Sequence, residues 1–171
     1  RSGVAFDDII KVALLNPVKD VTSNHGKRIR GKLATLSYQL LGESITPSAV
    51  EAVQCGICAE VVELIHAGSL VVDDIEDGSM IRRGKPALHI RYGLPTALNA
   101  GNWVYFWPFQ LIKALELPNR TALAVYEYYH RTLLRAHFGQ AMDLASGVDR
   151  LPQGRVPEVC LATMELKTGA L

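Results

Sequence analysis

The sequence predicts an all-α fold. Apolar residues recur at spacings of three and four along most of the 171 residues, which is the period of amphipathic helices. Extended alternation of apolar and polar residues, the pattern of half-buried strands, is absent from the sequence. Hydrophobic residues make up 49% of the chain, the upper end for a soluble globular protein. We therefore expect a helical bundle with a substantial apolar core.

Proline, glycine and capping residues delimit the predicted helices. The expected helical segments are residues 5–15, 29–41, 48–77, 96–117 and 119–146, with a last helix from about residue 158. Pro17 lies after the first of these segments and Gly42 after the second. Both helices are expected to end there, because neither residue readily continues a helix. Ser48 and Glu51 have the spacing of a capping box, which predicts where the third begins. Residues 21–26 and 152–157 are expected to form turns, and residues 78–95 a long loop, which is uncommon without a function.

Composition and charge exclude several classes of function. The net charge of +1 gives no global field that would attract nucleic acid or an anionic membrane. No uninterrupted apolar run reaches the roughly 20 residues of a membrane span, so no transmembrane segment is expected. Cys55, Cys58 and Cys160 are too few and too scattered for a disulfide framework or a zinc site. We expect a cytoplasmic protein, although the start at Arg1 without a methionine is also compatible with a removed targeting peptide.

An acidic cluster, Asp73-Asp74-Ile75-Glu76-Asp77, ends the long third helix. His66, Leu70, Asp73 and Asp77 follow the i, i+4, i+7, i+11 spacing and share one stripe of that helix. Carboxylates at a helix C-terminus oppose the macrodipole, and two that lie four residues apart repel each other. A divalent cation would remove both penalties, whereas the alternative is an acidic helix end that is merely solvated.

Basic residues near the cluster favour a ligand that combines a metal ion and a diphosphate. Arg82-Arg83-Gly84-Lys85 follows the carboxylates directly, and guanidinium groups suit phosphate oxygens. A second basic segment, from His25 to Arg30, lies at a loop-to-helix junction, where free backbone N–H groups favour anions. Lys167-Thr168-Gly169 offers an ammonium and a hydroxyl group. Each of these groups alone reads as ordinary surface charge, but together they match the needs of a Mg²⁺-diphosphate site.

In order and spacing, these motifs resemble those of the trans-isoprenyl diphosphate synthases. The matching segments are Gly26-Lys27-Arg28-Ile29-Arg30, Leu64-Ile65-His66, the acidic cluster with Arg82-Arg83-Gly84, Gly139-Gln140-Ala141-Met142-Asp143 and Lys167-Thr168-Gly169. Residues 73–106 are most similar to the geranylgeranyl diphosphate synthases of eukaryotes. The resemblance implies a helical bundle of the isoprenoid-synthase type, of which this chain would form a truncated part. Because the family's second aspartate-rich motif does not follow Gly169, residues 1–171 are expected to be the N-terminal portion of one synthase domain.

The resemblance also implies a role for each motif. Mg²⁺ would be held by Asp73 and Asp77, with Asp74 assisting. Isopentenyl diphosphate would be bound by Lys27, Arg30, His66 and Arg83. The allylic diphosphate would be bound by Arg82, Lys167 and Thr168, while Gln140 and Asp143 line the site. Departures from the family pattern are His25 in place of a second glycine, Gly31 in place of proline, and Val72 in place of a frequent histidine.

The implied activity is a Mg²⁺-dependent trans-prenyltransferase that acts as a homodimer. It would condense isopentenyl diphosphate head-to-tail with dimethylallyl, geranyl or farnesyl diphosphate. Gly68 and Ser69 are small where synthases that stop at farnesyl carry bulky aromatic residues, which predicts a longer product, geranylgeranyl diphosphate. The alternative is that they are small only to let a neighbouring helix pack closely.

Two other functions remain open from the sequence. The chain could be a non-catalytic partner subunit of a heteromeric synthase, or the prenyltransferase part of a chimeric terpene cyclase. Retention of Asp73, Asp77, Arg82 and Arg83 favours an enzyme over a silent subunit. Since one acidic cluster does not form a complete metal cage, the 171-residue chain alone is expected to be inactive.

Overall fold

The computed structural model describes residues 2–24, 26–41 and 48–171, and the regular structure of these residues is overwhelmingly helical, which confirms the all-α prediction. The chain divides into two compact units, Arg1–Leu115 and Glu116–Leu171. The first unit contains helices α1 to α6 and one small hairpin. The second contains two helices and short helical turns. Each unit is described by itself below.

The first unit is built from the following elements, given in chain order. They are α1 (Ser2–Ile10), a π-helical segment (Lys11–Leu15), α2 (Asn16–Ser23), α3 (Ile29–Leu41), α4 (Ala49–Glu76), β1 (Ile81–Arg82), β2 (Lys85–Pro86), α5 (Leu88–Tyr92) and α6 (Leu94–Lys113). The second unit consists of α7 (Asn119–Ala145), 3₁₀ turns at Val148–Arg150 and Gln153–Arg155, α8 (Val156–Met164) and a π-helical segment (Glu165–Gly169).

The N-terminal helix is longer than predicted. Helical structure continues past Pro17 to Ser23, so the expected stop before Pro17 and the expected turn from residue 21 are wrong. The N–H of Asn16 bonds the carbonyl of Lys11, five residues back, and this wider π turn precedes Pro17. The proline then lies in the first turn of α2, where its missing N–H is tolerated. His25 and Gly42, two further points of the sequence analysis, lie outside the described residues.

Helix α4 is the central element of the first unit, and its bounds confirm the sequence prediction. The Ser48 Oγ accepts from the Glu51 N–H at 3.3 Å, and the Glu51 carboxylate accepts from the Ser48 N–H at 2.8 Å, so the capping box is present. The helix packs mainly against α3 and α6. One buried cluster combines Val71 of α4 with Leu88, Ala97 and Ala100, which anchors α5 and α6 to the helix that ends in the acidic cluster.

By length and composition, α4 could also cross a membrane. An 18-residue window of it has a mean hydropathy of 1.7, which differs from the expectation that no segment would qualify. The central helices of soluble bundles meet the same criterion, so it carries little weight for a single helix. Here α4 also contains Asp74, a polar residue whose side chain is buried.

Close approach of α4 and α6 explains why Gly68 is small. A Cβ atom added to Gly68 would lie 3.1 Å from the carbonyl oxygen of Gly101, and one added to Gly101 would lie 3.1 Å from the Val71 side chain. Gly68 is therefore needed for helix packing, which was the alternative considered for it. Ser69 lies outside this contact, and its hydroxyl donates to the His66 carbonyl at 2.8 Å. Only Ser69 remains a candidate for the wall of a product channel.

The segment predicted as a loop, residues 78–95, contains a two-residue hairpin and the short helix α5. Ile81 pairs with Pro86 and Arg82 with Lys85. The two central residues of the turn, Arg83 and Gly84, have φ values of 53° and 75°, as a type I′ hairpin turn requires. Left-handed backbone is uncommon for arginine, so the hairpin holds Arg83 in a conformation that its neighbours must stabilise.

Candidate functional site

The acidic cluster at the end of α4 is partly neutralised by an internal cation. Asp74 is only 3% exposed, and its Oδ1 accepts from both Nε (2.8 Å) and Nη2 of Arg82. Arg82 Nη2 also lies 3.6 Å from Asp73 Oδ2. The hydrogen bond to Asp74 is the main reason why the pKa of Arg82 is raised. Arg82, predicted to bind an allylic diphosphate, is therefore held by two carboxylates in this structure.

Asp73 and Asp77 are the remaining carboxylates of the cluster predicted to hold Mg²⁺. Asp77 donates its N–H to the Asp73 carbonyl at 2.8 Å, so the two residues stand on successive turns of the same side of the helix. In the described residues no group of three His, Cys, Asp or Glu side chains is arranged to hold a metal ion. Mg²⁺ commonly uses one or two carboxylates together with phosphate and water oxygens, so Asp73 and Asp77 suit it. The predicted assistance by Asp74 would require its ion pair with Arg82 to open.

Two of the four residues predicted to bind isopentenyl diphosphate, His66 and Arg83, line one small cavity, and the charge of a third, Arg30, acts on His66. His66 is half-buried, and its pKa is lowered to about 4, first by burial and then by the charge of Arg30. Arg83 and Arg82 lower this pKa further, against the opposing effect of Glu63. The imidazole is therefore neutral near pH 7, and three arginines and one glutamate are close enough to affect its pKa. An anion bound here would gain from all of these cations, which is what a diphosphate site requires.

Arg83 is directed to this place by the end of α2. Its Nη1 donates to the Asn24 carbonyl oxygen, and the guanidinium lies so close to Gly26 that an added Cβ would be 2.7 Å from Nη2. Arg83, Gly26 and His66 line the same small cavity. Lys27, the fourth predicted residue, is exposed in the segment before α3.

A larger cavity of about 360 Å³ lies beside the hairpin. Its walls come from α2, α4, the hairpin and α5, and its charged lining residues are Asp20, Asp74, Arg82, Arg83, Lys85 and Arg91. Asp20 accepts a hydrogen bond from the Tyr92 hydroxyl and pairs with Arg91 at 2.7 Å. These contacts tie α2 to α5 and thereby support the hairpin that carries the two arginines.

Several residues that contribute to the site were not predicted from the sequence. Glu60 and Glu63 of α4 bind Arg28 and Gly31, the residues on either side of the segment that contains Arg30. Tyr105 of α6 is half-buried, and burial together with the charges of Glu76 and Asp73 raises its pKa to about 12, so the hydroxyl stays protonated near those carboxylates. Pairings between different helices leave no local pattern that a single sequence would reveal.

In the second unit, the predicted residues of α7 meet the π-helical segment. Lys167 Nζ pairs with Asp143 Oδ2 at 2.5 Å. Gly139 makes this approach possible, since an added Cβ would lie 2.1 Å from the Lys167 backbone nitrogen. Gln140 is half-buried and Thr168 is exposed. The sequence motifs Gly139–Asp143 and Lys167–Gly169 thus form one local cluster.

Two curated proteins show what this chain is similar to. The geranylgeranyl pyrophosphate synthase dpmpD of Macrophomina phaseolina is 33% identical over 143 residues, which cover 84% of this chain and 39% of that protein. The geranylgeranyl pyrophosphate synthase spyE of Aspergillus fumigatus is 36% identical over 128 residues, which cover 75% of this chain and 32% of that protein.

Solved structures also share the fold. A geranylgeranyl pyrophosphate synthetase from the archaeon Geoglobus acetivorans superposes with a TM-score of 0.79 and 25% identity, over 99% of this chain and 54% of that one. A geranyltranstransferase from Thermotoga maritima superposes with a TM-score of 0.71 and 30% identity, over 91% of this chain and 54% of that one.

The chain is shorter than the proteins it matches. It spans 39% and 32% of the two curated relatives and 54% of each of the two solved structures. Across its own length the agreement is nearly complete, because the model of the family described as polyprenyl synthetase matches residues 11–171. The chain belongs to the polyprenyl synthetase family.

Proposed function

We propose that the protein of which this chain is a part is a trans-prenyltransferase that condenses isopentenyl diphosphate with an allylic diphosphate. The observation that carries the proposal is the cavity lined by His66 and Arg83, where the charge of Arg30 also acts on His66. Cations gathered around a neutral imidazole suit a multiply charged phosphate ligand. The activities named for the relatives and structural neighbours support the same reaction.

In this proposal the basic residues bind and orient isopentenyl diphosphate. Arg30 and Arg83 offer guanidinium forks to its phosphate oxygens, and Lys27 adds an ammonium group. Because His66 is neutral near pH 7, it acts as a hydrogen-bond donor rather than as a further charge. The carbonyl of Asn24 holds Arg83 in place before the ligand arrives, which reduces the side-chain entropy lost on binding.

Asp73 and Asp77 would hold Mg²⁺, which would neutralise charge on the departing diphosphate of the allylic substrate. Arg82 places a cation beside Asp73, and in this proposal Lys167 and Thr168 would bind the allylic diphosphate. Asp143 orients Lys167 through their ion pair. No side-chain nucleophile is needed, since isopentenyl diphosphate supplies the attacking double bond.

We propose geranylgeranyl diphosphate as the product. The small side chain of Ser69 lies one turn before Asp73 on the same stripe, which leaves room for a long prenyl tail. The names of the curated relatives support this chain length.

The experiment is a condensation assay on the full-length protein. Labelled isopentenyl diphosphate is supplied with dimethylallyl, geranyl or farnesyl diphosphate and Mg²⁺, and the dephosphorylated alcohols are separated by chromatography. Geranylgeraniol should dominate, and a chelator should abolish it. Ser69→Phe should shorten the product, whereas Ser69→Ala should not. Failure to incorporate label with every primer would refute the transferase, and farnesol as the final wild-type product would refute the proposed chain length.

A further inference from the structure

The start of helix α3 lacks a capping side chain of its own. Arg28 precedes the helix, and its carbonyl accepts the first helical bond from Lys32 at 3.0 Å. Its φ of 49° is unfavourable for a residue with a Cβ atom. Arginine has no side-chain acceptor, so it cannot satisfy the free N–H groups of the first turn as Ser or Asp would.

Helix α4 supplies the missing contacts through two glutamates. The Glu63 Oε1 accepts a hydrogen bond from the Gly31 N–H at 2.7 Å, and Gly31 is the third residue of α3, where the N–H has no acceptor within the helix. One turn earlier on α4, Glu60 Oε2 lies 2.5 Å from Arg28 Nη2, which holds the left-handed residue in place. A carboxylate at a helix N-terminus is also favoured by the helix dipole.

The hydrogen bond between Gly31 and Glu63 depends on the residue at position 31. The resemblance leads one to expect proline at position 31, but proline has no N–H to donate. A Cβ atom at this position would also come within 3.2 Å of Glu63 Cγ and 3.4 Å of the Ala59 carbonyl. Free N–H groups at this junction were expected to bind a ligand anion, whereas the Gly31 N–H already donates to Glu63.

The two glutamates lie at the predicted diphosphate site. Glu60 and Glu63 line the same cavity as His66 and Arg83. Arg30 follows Arg28 by two residues and precedes Gly31. Glu63 therefore holds the backbone N–H that follows Arg30, and Glu60 holds the side chain of Arg28 before it. Arg30, whose charge acts on His66, lies between the two points at which α4 holds the start of α3.

We propose that Glu60 and Glu63 are positioning residues that hold the start of α3 against α4, so that Arg30 meets the diphosphate of isopentenyl diphosphate. This inference rests on the proposed function. Neither glutamate needs to touch the substrate, since each acts through the backbone or through Arg28. The allylic substrate, which uses other residues, should be insensitive to both.

The test is a comparison of Michaelis constants in the full-length protein. Glu63→Ala should raise KM for isopentenyl diphosphate about tenfold or more, because a hydrogen bond to a charged group is lost, while KM for the allylic substrate stays within about twofold. Glu63→Gln keeps an acceptor oxygen and should recover KM to within about threefold of wild type. Asp8→Ala, which removes an exposed carboxylate of α1, is the control and should change neither constant.

A second readout does not depend on turnover. Exchange of the Gly31 amide hydrogen should be about tenfold faster or more in Glu63→Ala than in wild type, with Glu63→Gln in between. Binding of inorganic diphosphate, measured by calorimetry, should weaken in parallel. If the wild type binds diphosphate but makes no prenyl product, the proposed function is wrong. Amide exchange at Gly31 and diphosphate binding would then still show whether Glu63 positions the start of α3.

Several outcomes would overturn the inference. They are an unchanged Gly31 exchange rate, an unchanged KM for isopentenyl diphosphate, or an equal rise of KM for both substrates, as a general loss of stability would produce. If Glu63→Ala does not fold, the near-isosteric Glu60→Gln carries the test. Loss of the charged contact with Arg28 should then raise KM for isopentenyl diphosphate about threefold and leave the allylic KM unchanged.

Discussion

Replacing Asp73 with alanine in the full-length protein should lower kcat on the order of a thousandfold or more. The proposed Mg²⁺ ion would lose a carboxylate ligand, and the charge on the leaving diphosphate would then be less well neutralised. Folding should be nearly unaffected. Arg82 keeps its two hydrogen bonds to Asp74, so removal of the longer 3.6 Å contact with Asp73 should cost only about 1 kcal/mol. Steady-state turnover at saturating Mg²⁺ and thermal unfolding measure the two effects.

The neighbouring residue provides a matched control with a different result. Asp74→Ala would leave the Arg82 guanidinium without its buried partner, which should lower stability by about 2 kcal/mol or more, a value reduced from that of a fully buried pair because Arg82 is partly exposed. Asp73→Ala should therefore retain a near-normal melting temperature, whereas Asp74→Ala should not. Near-normal turnover by Asp73→Ala at saturating Mg²⁺ would rule out Asp73 as a metal ligand.

Gly139→Ala should be the most damaging small substitution in the second unit. The new Cβ would lie 2.1 Å from the nitrogen of Lys167 and 2.6 Å from the carbonyl carbon of Leu166, and backbone atoms cannot rotate away as a flexible side chain can. Overpacking of this kind costs about 3 kcal/mol. Displacement of Lys167 from Asp143 should also lower kcat, about tenfold or more.

Gly154→Ala is the appropriate control for this prediction. It lies in the same unit, and a Cβ added there would meet nothing within 4 Å. Denaturant unfolding and turnover of the two variants, measured side by side, separate packing at Gly139 from any general effect of replacing glycine. Equal stability of the two variants would show that the π-helical segment is not packed on α7 as described.

The sequence was sufficient to predict the elements whose ends carry chemical signals. Ser48 and Glu51 correctly predicted the start of α4, and the bounds of α3 were also correct. The end of the first helix was missed because a π turn is defined by which carbonyl accepts each N–H, and this cannot be read from the sequence. Pro17 is compatible both with a helix that stops before it and with a new helix that starts there. A two-residue strand pair such as β1 and β2 is too short for any periodic pattern.

The site was predicted as a set of motifs but not as a set of contacts. The grouping of Arg30, His66 and Arg83 was expected from the resemblance; in the structure His66 and Arg83 line one cavity, and the charge of Arg30 acts on His66. The pairing of Asp74 with Arg82 and of Glu63 with Gly31 could not be foreseen, because these contacts depend on how a hairpin and a helix pack against α4. Gly68 was ambiguous for the same reason, since only the crossing of α4 and α6 shows that packing requires it.

The most direct test of this account is the equilibrium binding of isopentenyl diphosphate, measured by calorimetry without allylic substrate. Arg83→Gln should weaken binding about tenfold or more, because a charged hydrogen-bond donor at the diphosphate is lost. Lys113→Gln removes an exposed positive charge from the last turn of α6 and should bind as wild type does. If Arg83→Gln binds isopentenyl diphosphate as tightly as wild type, the cluster of Arg30, His66 and Arg83 is not its diphosphate site.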